Sequence, residues 1–378
     1  MVQLGFKATK HDPCLFVLKN GSVCIYVAVF VDDLVVAGSS EAVIEAFKEQ
    51  MRRHVEIKDL GSLAWCLGVK IEQDLAAGTV SLSQELFVHD VLEKAKLAMI
   101  RPSSVPASPG VVLSANDCPT SPADLEEMKQ LPFSEYRSLV GSMLYLAVTS
   151  RPDISFAVCQ LSRVMSNPSK AHWNELLVLL RYLSGTRSKG IVYRRDGPTS
   201  SSSSDLQEEQ ARIRMVESLG NRLVTFVDSD YARDPATRRS IAGYIVFLNG
   251  GPVAWKCQLQ KSVAASTMEA ELNAACEGCK ETMYLRGLLA DLGCEQVGPT
   301  SVYSDNQSCI ELCKHDCAHH SRSKHIDVRF HFVRDEIKGK TITVLYVPTH
   351  WMIADMMTKP VTALTIKRLV PYVWGTWK

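Results

Sequence analysis

No stretch of this 378-residue chain holds the roughly 20 consecutive apolar residues that a membrane-spanning helix needs. The start, MVQLGFKATK, turns polar and basic where a secretory leader keeps an apolar stretch, which argues against export. Charge of one sign is missing as well. With 42 basic and 41 acidic residues and a net charge of +1, the whole-molecule field is weak. Any grip on a polyanion must then come from local patches. Twelve cysteines form no paired framework, which suits a reducing, intracellular compartment, either a cytoplasmic particle or the nucleus. There is no GxSxG elbow to support a serine hydrolase, and there are no internal repeats. What remains is an ordinary globular composition, 46% hydrophobic and 22% charged, in a chain long enough for two or three domains.

Two segments read as linkers. RPSSVPASPGVVLSANDCPTSPAD (residues 101–124) is too rich in Pro and Ser to hold a ladder or a helix for long. DGPTSSSSSDLQEEQ, within residues 196–220, has the composition of a flexible tether. They divide the chain into blocks 1–100, 125–195 and 221–378.

The first block opens with strands. Asn20-Gly21 between two apolar runs signals a tight hairpin, and Asp32-Asp33 in YVAVFVDDLVVAG sits at the turn of a second hairpin flanked by buried strands. A helix is expected from about Glu41 to Arg53. WCLGVKIEQ and GTVSLSQ form a strand pair, followed by an amphipathic helix with Leu86, Val88, Val91 and Leu92 inward. Aspartate is a good turn former, but two carboxylates at a buried turn also suit Mg²⁺, a hard cation that takes oxygen ligands.

The last block places acids at element ends. LVTFVDSDYARD is a strand carrying Asp228 and Asp230. IAGYIVFLNGGPVAWKCQLQ reads as two antiparallel strands joined at Asn249-Gly250-Gly251. A long helix capped by Ser266 or Thr267 carries Glu271 and closes at Gly293. TSVYSDNQ ends a strand at Asp305, and ADMMTKP starts a terminal helix at Asp355. Four converging carboxylates repel unless cations lie among them, and a pair of Mg²⁺ ions resolves this. Asp230 reads as a cap or a solvated acid. Cys309, Cys313 and Cys317, near His315, His319 and His320, have the spacing of one helix stripe rather than of a structural zinc site. Cys276 and Cys279 fall within the long helix.

In chain order, YVAVFVDDLVVAGS, IKDLGSLAWCLGVKI, LSQELFVHDVL, YRSLVGSMLYLAVTSRPDISFAVCQLSRVMSNPSKAHWNELLVLLRYLSGT, FVDSDYARDPATRRSIAGY, ASTMEAEL, VYSDNQS, SRSKHIDVRFHFVR and ADMMTKP resemble the reverse transcriptase and ribonuclease H region of copia-type LTR retrotransposon Pol polyproteins. The resemblance implies an α/β chain: an α+β palm remnant with helical thumb and connection, followed by a ribonuclease H-like mixed five-stranded sheet flanked by helices. It makes residues 1–100 a truncated palm and the start of the thumb, and residues 125–195 thumb and connection. The ribonuclease H-like domain would be residues 221–378.

By the same resemblance Asp32 and Asp33 are the metal-binding turn of the palm. The third carboxylate that polymerase chemistry needs would lie upstream of Met1, itself read as an accidental start. Asp32 and Asp33 would then be half a site, and the chain alone is not expected to polymerise. Asp228 would bridge two Mg²⁺ (or Mn²⁺) ions, Glu271 and Asp305 would complete the ligands of the first ion, and Asp355 would hold the second ion. Glu269 rivals Glu271, and Asp327 rivals Asp355. His350, ahead of the last Asp, would help product leave. The substrate implied is an RNA/DNA hybrid, with phosphates met by Arg238, Arg239, Lys256, Lys261, Arg322, Lys324 and Arg329. The upstream part of Pol is a further expected partner. The alternatives are an inactive or domesticated nucleic-acid-binding remnant, and a scaffold that only positions the nuclease.

Overall fold

The computed structural model describes residues 1–96, 100–122, 124, 126, 133–195, 218–314 and 324–376; the tether that includes the five consecutive serines lies outside them. The chain divides into two compact units, residues 1–67 with 283–297, and residues 68–282 with 298–378.

In the first unit, strands β1 (Lys7–Ala8), β2 (Leu15–Asn20), β3 (Val23–Phe30) and β4 (Asp33–Gly38) form one sheet in that order. β2 and β3 pair Asn20 with Val23, so Gly21 and Ser22 make the two-residue turn, with Gly21 at φ 58 as such turns require. Helix α1 (Glu41–Arg52) starts at Ser40, whose side chain accepts from the Val43 N–H. It buries Phe47 against Phe6, Ile25 and Val27, with the Phe6 and Phe47 rings edge to face at 5.3 Å. A short strand, β5 (Trp65–Cys66), follows.

The second hairpin departs from expectation. Phe30 pairs with Asp33, leaving Val31 and Asp32 as the turn. Both aspartates are exposed, as are Phe30, Val31 (82%) and Leu34. The turn is therefore not buried. The reason is positional: β4 is the last strand of this sheet, and only its middle reaches the core.

In the second unit, β6 (Val69–Asp74), β7 (Thr79–Ser83) and β8 (Ile191–Arg194) pair antiparallel. Helices α2 (Glu85–Lys94), α3 (Phe133–Thr149), α4 (Ser155–Ser162) and α5 (Lys170–Gly185) lie between β7 and β8 in sequence. On α2 the inward residues are Val88, Val91 and Leu92. Leu86, expected among them, is 59% exposed: one residue into the helix, it lies about 200° around the axis from Val88. Arg151, ahead of α4, is buried and clamps Asp153 through two hydrogen bonds of 2.9 and 2.8 Å, while Tyr182 donates to the same carboxylate at 2.9 Å.

A mixed sheet completes the unit. It comprises β9 (Val224–Asp230), β10 (Ile241–Leu248), β11 (Gly251–Leu259), β12 (Thr300–Ser304) and β13 (Ile342–Tyr346), in the order β11-β10-β9-β12-β13. The first three strands run antiparallel and the last two join parallel. This is the ribonuclease H-like arrangement. The β10–β11 turn is Asn249-Gly250, both at positive φ, as its right-handed twist demands. The sheet is flanked by α6 (Thr267–Asp291), α7 (Gln307–Lys314), α8 (Lys324–Lys338), α9 (Asp355–Thr358) and α10 (Ala363–Val373). One continuous core takes Val140, Leu146, Leu179 and Leu180 from the earlier helices together with Phe226, Phe247, Met357 and Val373 from this part. No described helix is long and apolar enough to cross a membrane.

Candidate active site

Strand register brings the first two acids level. β9 and β12 are parallel with Tyr303 opposite Phe226. Two residues further on, Asp305 stands beside Asp228, and the period of two puts both on one face. Across the antiparallel neighbour, Asp228 faces Gly243. A Cβ at Gly243 would lie 2.5 Å from Met357 Cβ and 2.8 Å from Thr358 Cγ2, so its absence lets α9 settle onto the sheet. Gly278 does the same for α6, since a Cβ there would meet Val227 Cγ1 at 2.4 Å. Asp355 is the first residue of α9, and Glu271 lies in the opening turns of α6.

Carboxylate oxygens of Asp228, Asp305 and Asp355 all fall within 4.8 Å of one another, and this is the one such acidic group among the described residues. Asp228 and Asp355 are buried and Asp305 is half-buried. Burial, then the charges of Asp228 and Asp305, push the Glu271 carboxyl well above its ordinary range, although Glu271 is not one of the three acids whose oxygens lie within 4.8 Å of one another. Glu271 is 4% exposed, and its Oε2 has no hydrogen-bond partner. Burial and the Asp228 charge push Asp355 up to about 8, against the pull of Lys359. Asp228 is raised as well, by burial first, although Lys359 and the Thr358 hydroxyl oppose the shift. Thr358 Oγ1 donates to Asp228 Oδ2. Lys359 Nζ lies 2.8 Å from Asp355 Oδ1 and 3.8 Å from Asp228 Oδ2. A donor set made only of oxygens, with one buried oxygen unpartnered, fits a hard divalent cation.

The Glu269 alternative meets a different fate. Glu269 Oε2 accepts from the Ala265 N–H at 2.7 Å, and the Glu269 N–H donates to Ser266 Oγ at 3.1 Å. Glu269 is thus spent on capping α6, two residues from Glu271 and roughly opposite it around the helix. Asp230 is half-buried, with Arg233 Nε 3.6 Å away. His350 is not a member of the acidic group; its ring centroid lies 5.6 Å from that of Trp351, and its Nε2 is buried without a hydrogen-bond partner. Asp32 and Asp33 gather no third carboxylate among the described residues.

Of the basic residues, Arg238 is exposed on the β9–β10 connection, and Lys256 is exposed on β11 with Glu277 at 3.9 Å. Lys261 is exposed just past β11. Arg239 is half-buried, and Arg329, half-buried on α8, donates to Asn273 Oδ1. Arg322 lies outside the described residues, as do the side chains of Lys324 and Asp327. Cys309 and Cys313 are buried on one face of α7, and Cys276 and Cys279 are buried in α6; Cys317 and the three neighbouring histidines lie outside the described residues.

Reading the sequence missed three contributors: Gly243, Thr358 and Lys359. The two polar ones carried a signal, since Lys359 follows Asp355 by four residues, one helical turn.

A carboxylate cluster on a mixed five-stranded sheet, in one chain with an Asp-Asp hairpin, is the combination that the resemblance to a retroelement Pol region implies. Residues 1–109 match the family described as Reverse transcriptase (RNA-dependent DNA polymerase). The chain is 34% identical over 354 residues, 93% of its length, to the Retrovirus-related Pol polyprotein from transposon TNT 1-94 of Nicotiana tabacum, of which it covers 24%. It is 31% identical over 362 residues, 96% of its length, to the corresponding polyprotein from transposon RE1 of Arabidopsis thaliana, of which it covers 22%. Among solved structures, that of LC11-RNase H1, isolated from compost, aligns at 10% identity and a TM-score of 0.29, covering 36% of this chain and 93% of that one. The chain belongs to the Pol polyproteins of copia-type LTR retrotransposons. It spans about a quarter of the length of these two polyproteins.

Proposed function

We propose that this chain is a Mg²⁺-dependent ribonuclease H that hydrolyses the RNA strand of RNA/DNA hybrids, with Mn²⁺ able to replace Mg²⁺. The observation that carries this reading is the buried, unpartnered Glu271 Oε2 beside the acids whose oxygens lie within 4.8 Å of one another. Asp228, Glu271, Asp305 and Asp355 would hold two metal ions. When bound, such ions activate a water and stabilise the leaving 3′-oxygen of a phosphodiester. The protein's own share is positional. The Thr358 hydroxyl orients Asp228, the Gly243 gap seats α9 so that Asp355 reaches the group, and burial excludes water from the acids. Arg238, Arg239, Lys256, Lys261 and Arg329, with Arg322 and Lys324, would meet phosphates of the hybrid, whose 2′-hydroxyls mark the RNA strand. His350 would assist product departure.

For Asp32 and Asp33 the proposal is a half-site. Two exposed carboxylates without a third among the described residues do not make a two-metal polymerase centre, so the chain by itself should not extend a primer. The rest of Pol is a proposed partner, and the proposed compartment is intracellular.

The test is incubation with an end-labelled RNA/DNA hybrid and MgCl₂, beside Asp228→Asn. Cleavage of the RNA strand that the substitution abolishes is the expected result. Binding of the hybrid without cleavage by the unsubstituted chain would overturn the reading in favour of a domesticated binding protein.

A further inference from the structure

Among the described residues, Lys359 is the basic group paired with the acidic cluster, and its geometry is particular. It follows α9 directly, four residues after Asp355, with extended backbone at φ −146 and ψ 156. Its Nζ stands 2.8 Å from Asp355 Oδ1 and 3.8 Å from Asp228 Oδ2, so one ammonium serves the two most buried aspartates of the group. The side chain is 34% exposed: it enters from the solvent edge and has room to leave along the same path. Burial alone would lower the basicity of Lys359, but the charges of Asp228 and Asp355 outweigh it and hold the ammonium protonated. Asp305 and, further out, Asp230 see the same charge.

We propose that Lys359 is the built-in counter-ion of the metal-free site, occupying the place of a divalent cation between Asp228 and Asp355 and withdrawing as that cation binds. This rests on the metal-dependent reading above and adds a regulatory element to it. Lys359 keeps the carboxylates together when no metal is present and competes with metal loading, and so sets the Mg²⁺ concentration at which the site fills. It acts through the two aspartates and is a positioning residue.

Thermal melting of the full chain, in EDTA and across a MgCl₂ series, tests this without reference to turnover. The unsubstituted chain is compared with Lys359→Gln and with the charge-retaining Lys359→Arg. In EDTA, Lys359→Gln melts below the unsubstituted chain, and the gap narrows as Mg²⁺ saturates. Its Mg²⁺ midpoint falls roughly three- to fivefold, the yield of a part-exposed ion pair converted through the binding free energy. Lys359→Arg restores the melting point in EDTA. An equal deficit in EDTA and in saturating Mg²⁺ with an unchanged midpoint would overturn the inference, leaving Lys359 a purely structural contact. The two readings separate cleanly. If the unsubstituted chain does not respond to Mg²⁺, the metal site falls and this inference with it. If it responds but the Lys359→Gln midpoint stays put, only the counter-ion role falls.

Discussion

Glu269 and Glu271 are chemically identical and two residues apart, yet they do unlike work. Glu269 satisfies the Ala265 N–H at the opening of α6, whereas Glu271 is buried with one oxygen unpartnered and feels the charges of Asp228 and Asp305. Their substitutions should therefore separate. Glu271→Gln should lower hybrid cleavage by at least about 100-fold, because losing a metal ligand removes several kcal/mol of transition-state stabilisation. Its melting temperature in EDTA should not drop, since the neutral amide relieves charge crowding. Glu269→Ala should do the reverse, retaining the cleavage rate at low temperature while losing about 0.5–2 kcal/mol of stability with the cap. Melting curves and rates on the same preparations decide, and a Glu269→Ala protein that is stable but inactive would exchange the roles. Element-end placement alone does not order the pair, since both residues fit it, and the preference for Glu271 came from the resemblance. The choice depends on which side of α6 meets β9, and Gly278, the residue that permits that contact, looks in sequence like any mid-helix glycine. Lys359 was passed over for a related reason: next to Asp355 it reads as an ordinary solvated helix-end charge.

At the scale of elements, periodicity placed most strands and helices, because alternation and the 3.6-residue repeat are written locally. What it did not supply was register and depth. Nothing local says that Gly243 stands opposite Asp228, or that Asp32 and Asp33 sit on an exposed turn rather than a buried one. Those are consequences of which strands become neighbours. Gly243 makes the point testable. In Gly243→Ala the new Cβ meets Met357 Cβ at 2.5 Å and Thr358 Cγ2 at 2.8 Å, with no flexible side-chain end to yield at either contact. α9 must shift outward, at a cost of about 1–3 kcal/mol for overpacking. Asp355 and Thr358 ride on that element, so the rate should fall by about 100-fold, as a displacement near 1 Å would produce, even well below the melting temperature. Cleavage assayed at a temperature where the variant is fully folded checks this. Lost stability with the rate intact would mean that the strain is absorbed elsewhere than at the acids.

At the scale of the second unit, the helices between residues 133 and 185 and the five-stranded sheet are one folding body. They share a core, and polar contacts stitch it. Trp255 Nε1 donates to the Ala147 carbonyl at 2.6 Å, and Arg163 reaches the fully buried Asp234 carboxylate at 2.7 Å. The Val192 N–H donates to the Trp374 carbonyl at 3.0 Å, while Arg151 lies over the Trp374 ring with a centroid distance of 5.9 Å. The Pro- and Ser-rich stretches that mark linkers in sequence say where composition disfavours regular elements, and nothing about whether the segments on either side bury surface against each other. A chain shortened to residues 218–378 would present to water the apolar face around Phe247, Trp255 and Met357 and leave Arg163's partner without its guanidinium. Losing a buried ion pair and the helical cover together costs several kcal/mol, the same order as the whole stability of an ordinary domain. The shortened chain should therefore show no cooperative thermal transition by circular dichroism and no cleavage of the hybrid, whereas the full chain shows both. A sharp transition and undiminished cleavage from residues 218–378 would mean that the sheet closes its own core, and that the earlier helices serve only to bring substrate to it.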